Sequence, residues 1–261
     1  MAGALIEIET LSKSFDGGQG FALRNASVTV RPGAFVALVG ASGSGKTTLL
    51  KSINRLIEPD SGEVRIEGEP VGQADPPALR RRIGYVFQDI GLFPHMSVAE
   101  NIGITPQLLG WPQREIAARS AELLDLVGLP QSYGPRFPAA LSGGERQRVG
   151  VARAIAARPK IVLMDEPFGA LDPITRDALG SAYRALHGKL GLTTIMVTHD
   201  VQEAVLLADE IVVMKSGRVL AQDIPRALLS DDAHPDVRAL MAMPKRQAER
   251  IRAVIGEGKR P

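Results

Sequence analysis

The sequence contains a run of nine residues whose types suit the binding of phosphate groups, GASGSGKTT at positions 40–48. Glycines allow backbone N–H groups to close around phosphate oxygens. The lysine supplies a positive charge, and the hydroxyl of the serine or threonine after it supplies a magnesium ligand. We expect Lys46 to reach the β- and γ-phosphates of a nucleotide and Thr47 to ligate Mg²⁺. The candidate phosphate-binding residues of this run are Gly40, Ser42, Gly43, Ser44, Gly45, Lys46, Thr47 and Thr48.

The surroundings of this run agree with the prediction. The apolar run AFVALV precedes the glycines, and TTLLKSINRLI follows them. A buried strand followed by a helix would place the helix N-terminus at the anion, where the helix dipole contributes about half a positive charge. The sequence therefore predicts a strand, a phosphate loop and a helix in this order.

Carboxylates and a histidine follow two further apolar runs, in KIVLMDEP and TTIMVTHD. If both runs are parallel strands, Asp165, Glu166 and His199 lie at the edge where open α/β sheets bind ligands. Asp165 suits a Mg²⁺ shell, Glu166 suits a general base that orients an attacking water, and His199 is expected to contact the γ-phosphate. The remaining histidines, which are expected to be structural, are His95, His187 and His234.

A second loop with two glycines, LSGGERQRVGVARA at 141–154, leads directly into a helical pattern. A loop of this kind at a helix N-terminus also suits an anion. Its glycines are not followed by a lysine, unlike those of the first loop. From the residues alone, the reason for two anion-binding loops in one chain stays open.

Composition excludes several classes of protein. The 261 residues are 44% hydrophobic and contain no cysteine, so disulfides, cysteine–zinc sites and thiol nucleophiles are ruled out. Because no run approaches about 20 apolar residues and the N-terminus lacks a secretion signal, we expect the chain to stay in the cytosol.

Positions 244–261 hold six of the 31 basic and two of the 29 acidic residues, which leaves a net charge of −2 for the rest of the chain. The basic character therefore belongs to the tail and not to a nucleic-acid surface, although contact of the tail with anionic lipid headgroups remains an alternative to a solvated helix, RQAERIRAVI.

The pattern of apolar residues predicts an α/β fold. The runs AFVALV, IVLM, TTIMV and IVVM are typical of strands buried on both faces of a parallel sheet. The alternating segments ALIEIE and GEVRIEGEPV indicate half-exposed antiparallel strands near the N-terminus. The strand signal disappears between Phe93 and Pro138, which predicts an inserted helical subdomain, and the segment after about Ile224 is predicted to be helical and then basic.

Taken in order, these motifs resemble those of the ATP-binding subunits of ABC transporters over nearly the whole chain. The ordered set is GASGSGKTT, VFQD, LSGGERQ, IVLMDEP, GALD and THD. The resemblance implies a P-loop NTPase fold with a RecA-like core, an N-terminal antiparallel β-subdomain and an inserted helical subdomain. It places the ATPase domain at 1–224, the helical subdomain at about 93–158 and a helical, basic tail at 225–261. Another P-loop enzyme, a GTPase or kinase, is disfavoured because no N-K-x-D stretch occurs and LSGGE is unexplained.

The resemblance also implies roles for residues outside the phosphate loop. Gln88 in VFQD would contact Mg²⁺ and the attacking water, in a loop that responds to a membrane subunit. Asp172 in GALD would cross a dimer contact. Phe15 in LSKSF would stack on adenine, although core packing explains a phenylalanine at a strand end equally well.

In this family the second glycine loop caps the γ-phosphate of ATP held by the opposite subunit. The residues implied here are Ser142, Gly143, Gly144 and Glu145. Lys46 of the opposite chain already supplies the cation, so a capping loop needs no lysine. Many members carry Gln in place of Glu145, and we expect altered contacts there without loss of function. One copy of each motif implies that two copies of the chain pair head to tail.

A closer similarity, to the ATPases of osmoprotectant importers, lies in SINRLIEPDSGEVRIEGE, DIGLFPHMSVAENI and DEPFGALDPITR. Such importers take up glycine betaine, choline or carnitine, and the similarity implies ATP and Mg²⁺, permease subunits, indirectly a substrate-binding protein, no nucleic acid, and the cytoplasmic face of the membrane. Some of these ATPases carry two CBS domains, for which the segment after about Ile224 is too short. The alternatives are an ABC ATPase for another solute, such as an amino acid or a lipid, and a soluble ABC ATPase clamp without a transport role.

Overall fold

The computed structural model describes residues 5–89, 91–230 and 233–243, together with Arg246 and Glu249. The strands in this part of the chain are β1 (Ile6–Ser14), β2 (Phe21–Val30), β3 (Phe35–Val39), β4 (Ser61–Ile66), β5 (Glu69–Pro70), β6 (Ile83–Val86), β7 (Ile161–Asp165), β8 (Thr193–Val197), β9 (Glu210–Lys215) and β10 (Arg218–Asp223). The helices are α1 (Lys46–Ile53), α2 (Pro76–Arg81), α3 (Val98–Leu108), α4 (Gln113–Leu126), α5 (Gly143–Ile155), α6 (Pro173–Leu190), α7 (Val201–Leu207), α8 (Pro225–Leu228) and α9 (Pro235–Met241).

Four strands near the N-terminus form an antiparallel sheet in the order β2-β1-β4-β5. Ile6 is the register partner of Val30 on one side and of Ile66 on the other. The two alternating segments form β1, β4 and β5, as predicted. β2, which no alternating run singled out in the sequence, buries every second or third residue against the same core.

Six strands form the central sheet in the order β10-β9-β3-β8-β7-β6, parallel except for the β9–β10 pair. The four continuous apolar runs are β3, β7, β8 and β9. Phe35, Ala37 and Val39 of β3 pack on one side of the sheet, and Val36 and Leu38 pack on the other. Because both faces are covered, these strands show no alternation in the sequence.

The register of the central strands brings three chain segments to one edge. Val197, the last residue of β8, pairs with Leu38 of β3 and with Asp165 of β7. The loops that follow β3, β7 and β8 therefore leave the sheet side by side. These loops contain the phosphate-loop run, Glu166 and His199.

Residues 93–138 are all described, and they contain helices and turns without a strand. Ser97 caps α3: its Oγ accepts a hydrogen bond from the N–H of Glu100, whose carboxylate accepts one from the N–H of Ser97. Such a reciprocal box satisfies two N–H groups that the first helical turn leaves free. α3 and α4 pack against each other and against α5.

One helix is shorter than its sequence indicated. The run TTLLKSINRLI remains helical only to Ile53, because Asn54 leaves the helical region and Arg55 adopts a φ of 56°. Leu56 and Ile57 instead donate their N–H groups to the carbonyl of Lys51. The turn directs the chain towards β4.

α8 and α9 follow the central sheet, after Ile224. The predicted terminal helix RQAERIRAVI and the basic tail lie outside the described residues, apart from Arg246 and Glu249. The subdomain limits at 224, and at about 93 and 158, stay predictions. In the described part of the chain, no helix has both the length and the apolar composition needed to cross a membrane.

Candidate nucleotide-binding site

The phosphate loop joins β3 to α1 through glycines in left-handed conformations. Gly40, Gly43 and Gly45 have φ values of 154°, 75° and 98°. A Cβ at Gly40 would lie 2.2 Å from the carbonyl oxygen of Met214, and one at Gly45 would lie 2.3 Å from that of Ala22. Packing as well as backbone conformation therefore requires glycine at Gly40 and Gly45.

Lys46, the first residue of α1, extends back over the loop and is buried. Its Nζ donates hydrogen bonds to the carbonyls of Gly40 (2.8 Å) and Ala41 (2.9 Å), and it lies 3.4 Å from the Oγ of Ser44. Burial lowers the pKa of Lys46, and the nearby carboxylates of Glu166 and Asp165 oppose this shift. The ammonium group is thus held in the loop by neutral carbonyls, so it can transfer these hydrogen bonds to phosphate oxygens.

The remaining members of the loop differ in exposure. Ser42 and Gly43 lie exposed at its tip, and Ser44 is buried. Thr48 lies half-buried in the first turn of α1, where its carbonyl accepts a hydrogen bond from the Oγ of Ser52 at 2.9 Å.

Thr47 and Asp165 bring two oxygen atoms together from different elements. The Oγ1 of Thr47 donates to the Oδ1 of Asp165 at 2.9 Å. Burial raises the pKa of Asp165, and the hydrogen bond from Thr47 opposes this rise. A hydroxyl beside a carboxylate fits the oxygen ligands that Mg²⁺ takes alongside phosphates.

Glu166 and His199 face each other beyond the ends of β7 and β8. The Oε2 of Glu166 lies 3.3 Å from the Nδ1 of His199, whose side chain is largely exposed. Glu166 adopts a φ of 48°, and its N–H donates to the carbonyl of Val197 at 3.0 Å. The left-handed residue turns the chain at the sheet edge, where the Glu166 carboxylate lies against the histidine.

The second glycine loop is ordered by contacts of its own. Ser142 is the N-cap of α5: its Oγ accepts from the N–H of Glu145 (3.2 Å), and the Oε2 of Glu145 accepts from the N–H of Ser142 (2.7 Å). The hydroxyl of Tyr133 donates to the other carboxylate oxygen at 2.9 Å. These hydrogen bonds lower the pKa of Glu145, the backbone contact with Ser142 most of all. Gly143 and Gly144 form the first turn of the helix.

A side-chain hydrogen bond connects the second loop's helix to the sheet edge. The Nε2 of Gln147, a buried residue in the second turn of α5, donates to the carbonyl oxygen of Glu166 at 3.4 Å. Neither Gln147 nor Tyr133 was identified from the sequence. The one signal for Gln147 was its place among apolar residues on the buried side of a helical pattern.

The residues whose roles only the family resemblance implied, outside the glycine loops, lie near the surface. Phe15, just after β1, is 66% exposed, and the Nζ of Lys13 lies 5.6 Å from the centre of its ring. The alternative interpretation, that this phenylalanine packs in the core, is therefore wrong. Gln88 is exposed two residues beyond β6, the neighbour of β7 in the sheet. Asp172 is the exposed N-cap of α6 and accepts a hydrogen bond from the N–H of Thr175 at 3.0 Å.

The fold thus brings together one group of the predicted residues and keeps the other apart. The phosphate loop, Asp165, Glu166 and His199 share one sheet edge. In the described part of the chain, Ser142 and Glu145 make their side-chain hydrogen bonds with each other and with Tyr133, not with the phosphate loop. Gln147 provides the link between the two regions.

A phosphate loop between a buried strand and a helix, with a carboxylate at the end of a parallel strand two positions along the same sheet, defines a P-loop nucleotide-binding protein. A family model described as "ABC transporter" matches residues 23–169. This chain belongs to the ABC transporter family, as its motifs predicted.

Relatives and solved structures agree with this assignment. The chain is 48% identical over 229 residues to the choline transport ATP-binding protein OpuBA of Bacillus subtilis, covering 88% of this chain and 60% of that protein. It is 49% identical to the glycine betaine uptake system ATP-binding protein YehX of Escherichia coli, covering 90% and 75%. Its fold matches the dimeric, post-hydrolysis structure of the ATP-binding cassette MJ0796 bound to ADP and Pi, with a TM-score of 0.78, 32% identity and coverage of 84% and 98%. The predicted fold class is confirmed.

The chain spans about 60% of the length of the Bacillus subtilis relatives it matches, which include the glycine betaine/carnitine/choline transport ATP-binding protein OpuCA.

Proposed function

We propose that this chain is the ATP-binding subunit of an ABC importer and that two copies hydrolyse ATP at their head-to-tail interface. The observation that carries the proposal is the separation of the two anion-binding loops. Lys46, Thr47, Asp165 and Glu166 share one sheet edge, while Ser142 and Glu145 make their contacts elsewhere. A chain with one loop of each kind completes a site only by pairing with a second copy.

ATP binding depends first on the phosphate loop. The Nζ of Lys46 exchanges its bonds to the carbonyls of Gly40 and Ala41 for bonds to the β- and γ-phosphates. Phe15, exposed at the end of β1, stacks on the adenine ring. Thr47 and Asp165, together with Gln88, hold Mg²⁺, which when bound neutralises charge on the phosphate oxygens.

Hydrolysis depends on Glu166 and His199. The carboxylate of Glu166 accepts a proton from the attacking water, and Gln88 helps to orient that water. His199, 3.3 Å from Glu166, contacts the γ-phosphate from the next strand. Its ring also keeps the carboxylate directed towards the reacting phosphate.

The opposite copy completes the site. Ser142 and the N–H groups of Gly143 and Gly144 contact the γ-phosphate at the N-terminus of α5, where the helix dipole favours an anion. Glu145 supports this loop through its bonds to Ser142 and Tyr133. Asp172, exposed beside Ile174, contacts the partner subunit.

The transported solute is a quaternary-amine osmoprotectant such as glycine betaine or choline. The names of the relatives support this choice, and no residue of the site described above recognises a solute. The subunit works at the cytoplasmic face of the membrane, bound to permease subunits that receive the solute from a substrate-binding protein. Its ATPase domain covers 1–224, with the helical subdomain at about 93–158, and a helical, basic tail covers 225–261.

Substitution of the general base tests the enzymatic part of this proposal. We expect Glu166→Gln to retain ATP binding and to lower turnover by about 10²- to 10⁴-fold, the usual cost of losing a general base. Glu115→Gln, at an exposed position of α4, is the matched control and should turn over normally. Normal turnover by Glu166→Gln would exclude Glu166 from this role.

Uptake measurements test the transport part. Deletion of the gene should abolish the uptake of radiolabelled glycine betaine or choline at high salt in a strain without another osmoprotectant importer. Unchanged uptake would reject the proposed solute but not the proposed hydrolysis of ATP. A chain that fails to co-purify with membrane proteins from detergent extracts would instead be a soluble clamp.

A further inference from the structure

A cavity of about 630 Å³ lies at the edge of the central sheet opposite to the phosphate loop. Its floor includes Ile83 and Ile161, the paired first residues of β6 and β7. Asp165 lies at the other end of β7, four residues further on, which corresponds to about 13 Å along a strand. The cavity is therefore separate from the nucleotide site.

Three parts of the fold meet at this cavity. The antiparallel sheet contributes Ile66 and Pro70, the central sheet contributes Ile83 and Ile161, and the helical region contributes Leu109. The apolar side chains among these residues suit the apolar part of an organic ligand. A volume of this size is within the range of about 300–1,000 Å³ that is common for small-molecule sites.

The charges around the cavity are mostly positive. Four cations line it, Arg81, Arg82, Arg158 and Lys160, against two carboxylates, Glu67 and Glu69. Glu67 is already occupied, since its oxygens lie 2.8 Å from the Nζ of Lys160 and 3.4 Å from Arg82. The lining residues thus carry a net charge of +2. Glu67 offsets one of the two positive charges of Lys160 and Arg82.

The other two guanidinium groups have no carboxylate partner among the described residues. Arg81 lies exposed at the end of α2 and forms no ion pair there. Arg158 lies over the ring of Trp111 at 5.5 Å and adopts a φ of 52°. Guanidinium groups present paired N–H donors that match the oxygens of a phosphate.

We propose that this cavity binds a small phosphorylated organic molecule, with its phosphate between Arg81 and Arg158 and its flat or apolar body against Ile83, Leu109 and Ile161. A phosphomonoester carries a charge of about −1.5 to −2 near neutral pH, which matches the excess charge of the lining. The inference is independent of the proposed function. An occupant would connect the helical region to the two sheets.

The single tryptophan of the chain makes a direct test possible. Trp111 does not itself line the cavity, but its ring contacts Arg158, which does, so phenyl phosphate bound at Arg158 should change the tryptophan fluorescence in a saturable way. ADP at a saturating concentration occupies the phosphate loop during the titration. Inorganic phosphate, which lacks the flat body, should bind more weakly than phenyl phosphate.

Variants distinguish specific binding from general attraction. Arg81→Gln leaves Trp111 and Arg158 in place and should weaken phenyl phosphate binding by about tenfold or more, the loss expected for one charge-assisted pair. Arg114→Gln removes an exposed arginine near Trp111 that does not line the cavity, and should bind like the wild type. Phenyl phosphate at one fixed concentration should also raise the Tm of the wild type by more than that of Arg81→Gln.

Three results would overturn the whole proposal, and a fourth would overturn the part that concerns the organic group. The first is an absence of saturable binding by both fluorescence and calorimetry. The second is equal weakening by Arg81→Gln and Arg114→Gln, which would indicate non-specific attraction to surface cations. The third is phenyl phosphate binding that occurs without ADP and is lost at saturating ADP, which would place the probe in the phosphate loop. Equal affinity for inorganic phosphate would exclude the organic part of the ligand class.

Discussion

Ser142 and Glu145 hold each other in place at the N-terminus of α5 through two reciprocal hydrogen bonds, of 3.2 Å and 2.7 Å. The pair satisfies N–H groups that the first turn would otherwise leave free. It also places a carboxylate, kept ionised by its lowered pKa, at the end of the helix that is proposed to attract a phosphate. Glu145 therefore stabilises the helix while reducing its attraction for an anion.

The first prediction separates these two effects. Glu145→Gln retains a side chain that can form the same box but removes the charge. We expect this variant to hydrolyse ATP and to need less ATP for half-maximal activity, by about two- to fivefold, as one charge at a helix end allows. Steady-state kinetics measures the change. Glu145→Ala, which loses the box as well, should be less stable by about 1 kcal/mol. A rise in KM for Glu145→Gln would contradict the electrostatic argument.

The second prediction concerns the division of the site between two copies. Lys46→Ala should weaken ATP binding by its own chain, whereas Ser142→Arg should bind ATP normally as a monomer and block closure over the partner's nucleotide. Each variant alone should be nearly inactive as a homodimer. In a mixture, one intact site forms per heterodimer, so part of the ATPase activity should return, provided that one site turns over without the other.

A direct measurement of ATP binding does not depend on whether one site of the dimer turns over without the other. ATP affinity of monomeric Ser142→Arg, measured by calorimetry, should equal that of the wild type. Because Arg is a poor N-cap, Ser142→Asp serves as a second variant that retains the cap and repels a phosphate. Loss of ATP binding by either folded monomer would mean that the loop acts on its own chain's nucleotide.

The third prediction addresses the segment DIGLFPHMSVAENI, which directly follows Gln88 and which we expect to receive a short helix of the permease. Phe93 is 42% exposed, and the buried side chain of Asn101 positions its backbone, donating to the carbonyls of Phe93 (3.1 Å), Met96 (3.0 Å) and Ser97 (3.0 Å). Because Phe93 does not fill the core, Phe93→Asp should fold and bind ATP. It should lose co-purification with the permease, as expected if its ring enters an apolar contact.

Leu190→Asp is the matched control, since Leu190 is 43% exposed and lies at the end of α6. This variant should retain the permease. If Phe93→Asp fails to fold, as judged by circular dichroism and Tm, the ring packs within the helical region. Retention of the permease by a folded Phe93→Asp would remove the segment from the docking surface.

The fourth prediction concerns stability and pH. His187 of α6 is buried, with its Nδ1 3.3 Å from Arg184 and its ring 5.3 Å from that of Phe35. Burial, together with the charge of Arg184, lowers the pKa of this imidazole below its usual value of 6.5. The unfolded chain therefore takes up a proton at a higher pH than the folded chain, so stability falls as the pH drops below about 6.5.

Urea denaturation between about pH 7 and pH 5 measures this dependence. His187→Gln should flatten the curve, although it lowers stability at neutral pH. The exposed His95 provides the control, and His95→Gln should keep the slope of the wild type. Parallel curves for His187→Gln and the wild type would show that His187 is not responsible.

Local patterns determined the elements and the family. The apolar runs predicted the strands of the parallel sheet, because a strand buried on both faces tolerates only apolar residues over its whole length. The ordered motifs between these runs predicted the family. The phosphate-loop motif predicted Gly40 and Gly45, whereas the close approach of the Met214 and Ala22 carbonyls, which also requires glycine there, is visible only in the tertiary structure. The helix boundary at Ile53 was missed because an unfavourable turn at Arg55 leaves no apolar signature.

Only the tertiary structure decided which side chains meet. Glu166 reaches His199, and Gln147 reaches the carbonyl of Glu166, across 33 and 19 residues of sequence. The bond from Tyr133 to Glu145 and the cavity around Arg81 and Arg158 depend in the same way on how neighbouring elements pack. Sequence periodicity reports which face of an element is buried, but contacts between side chains depend on register, on crossing position and on rotamers chosen by packing. For this reason the residues that could bind phosphate were visible in the sequence, whereas the geometry that connects them was not.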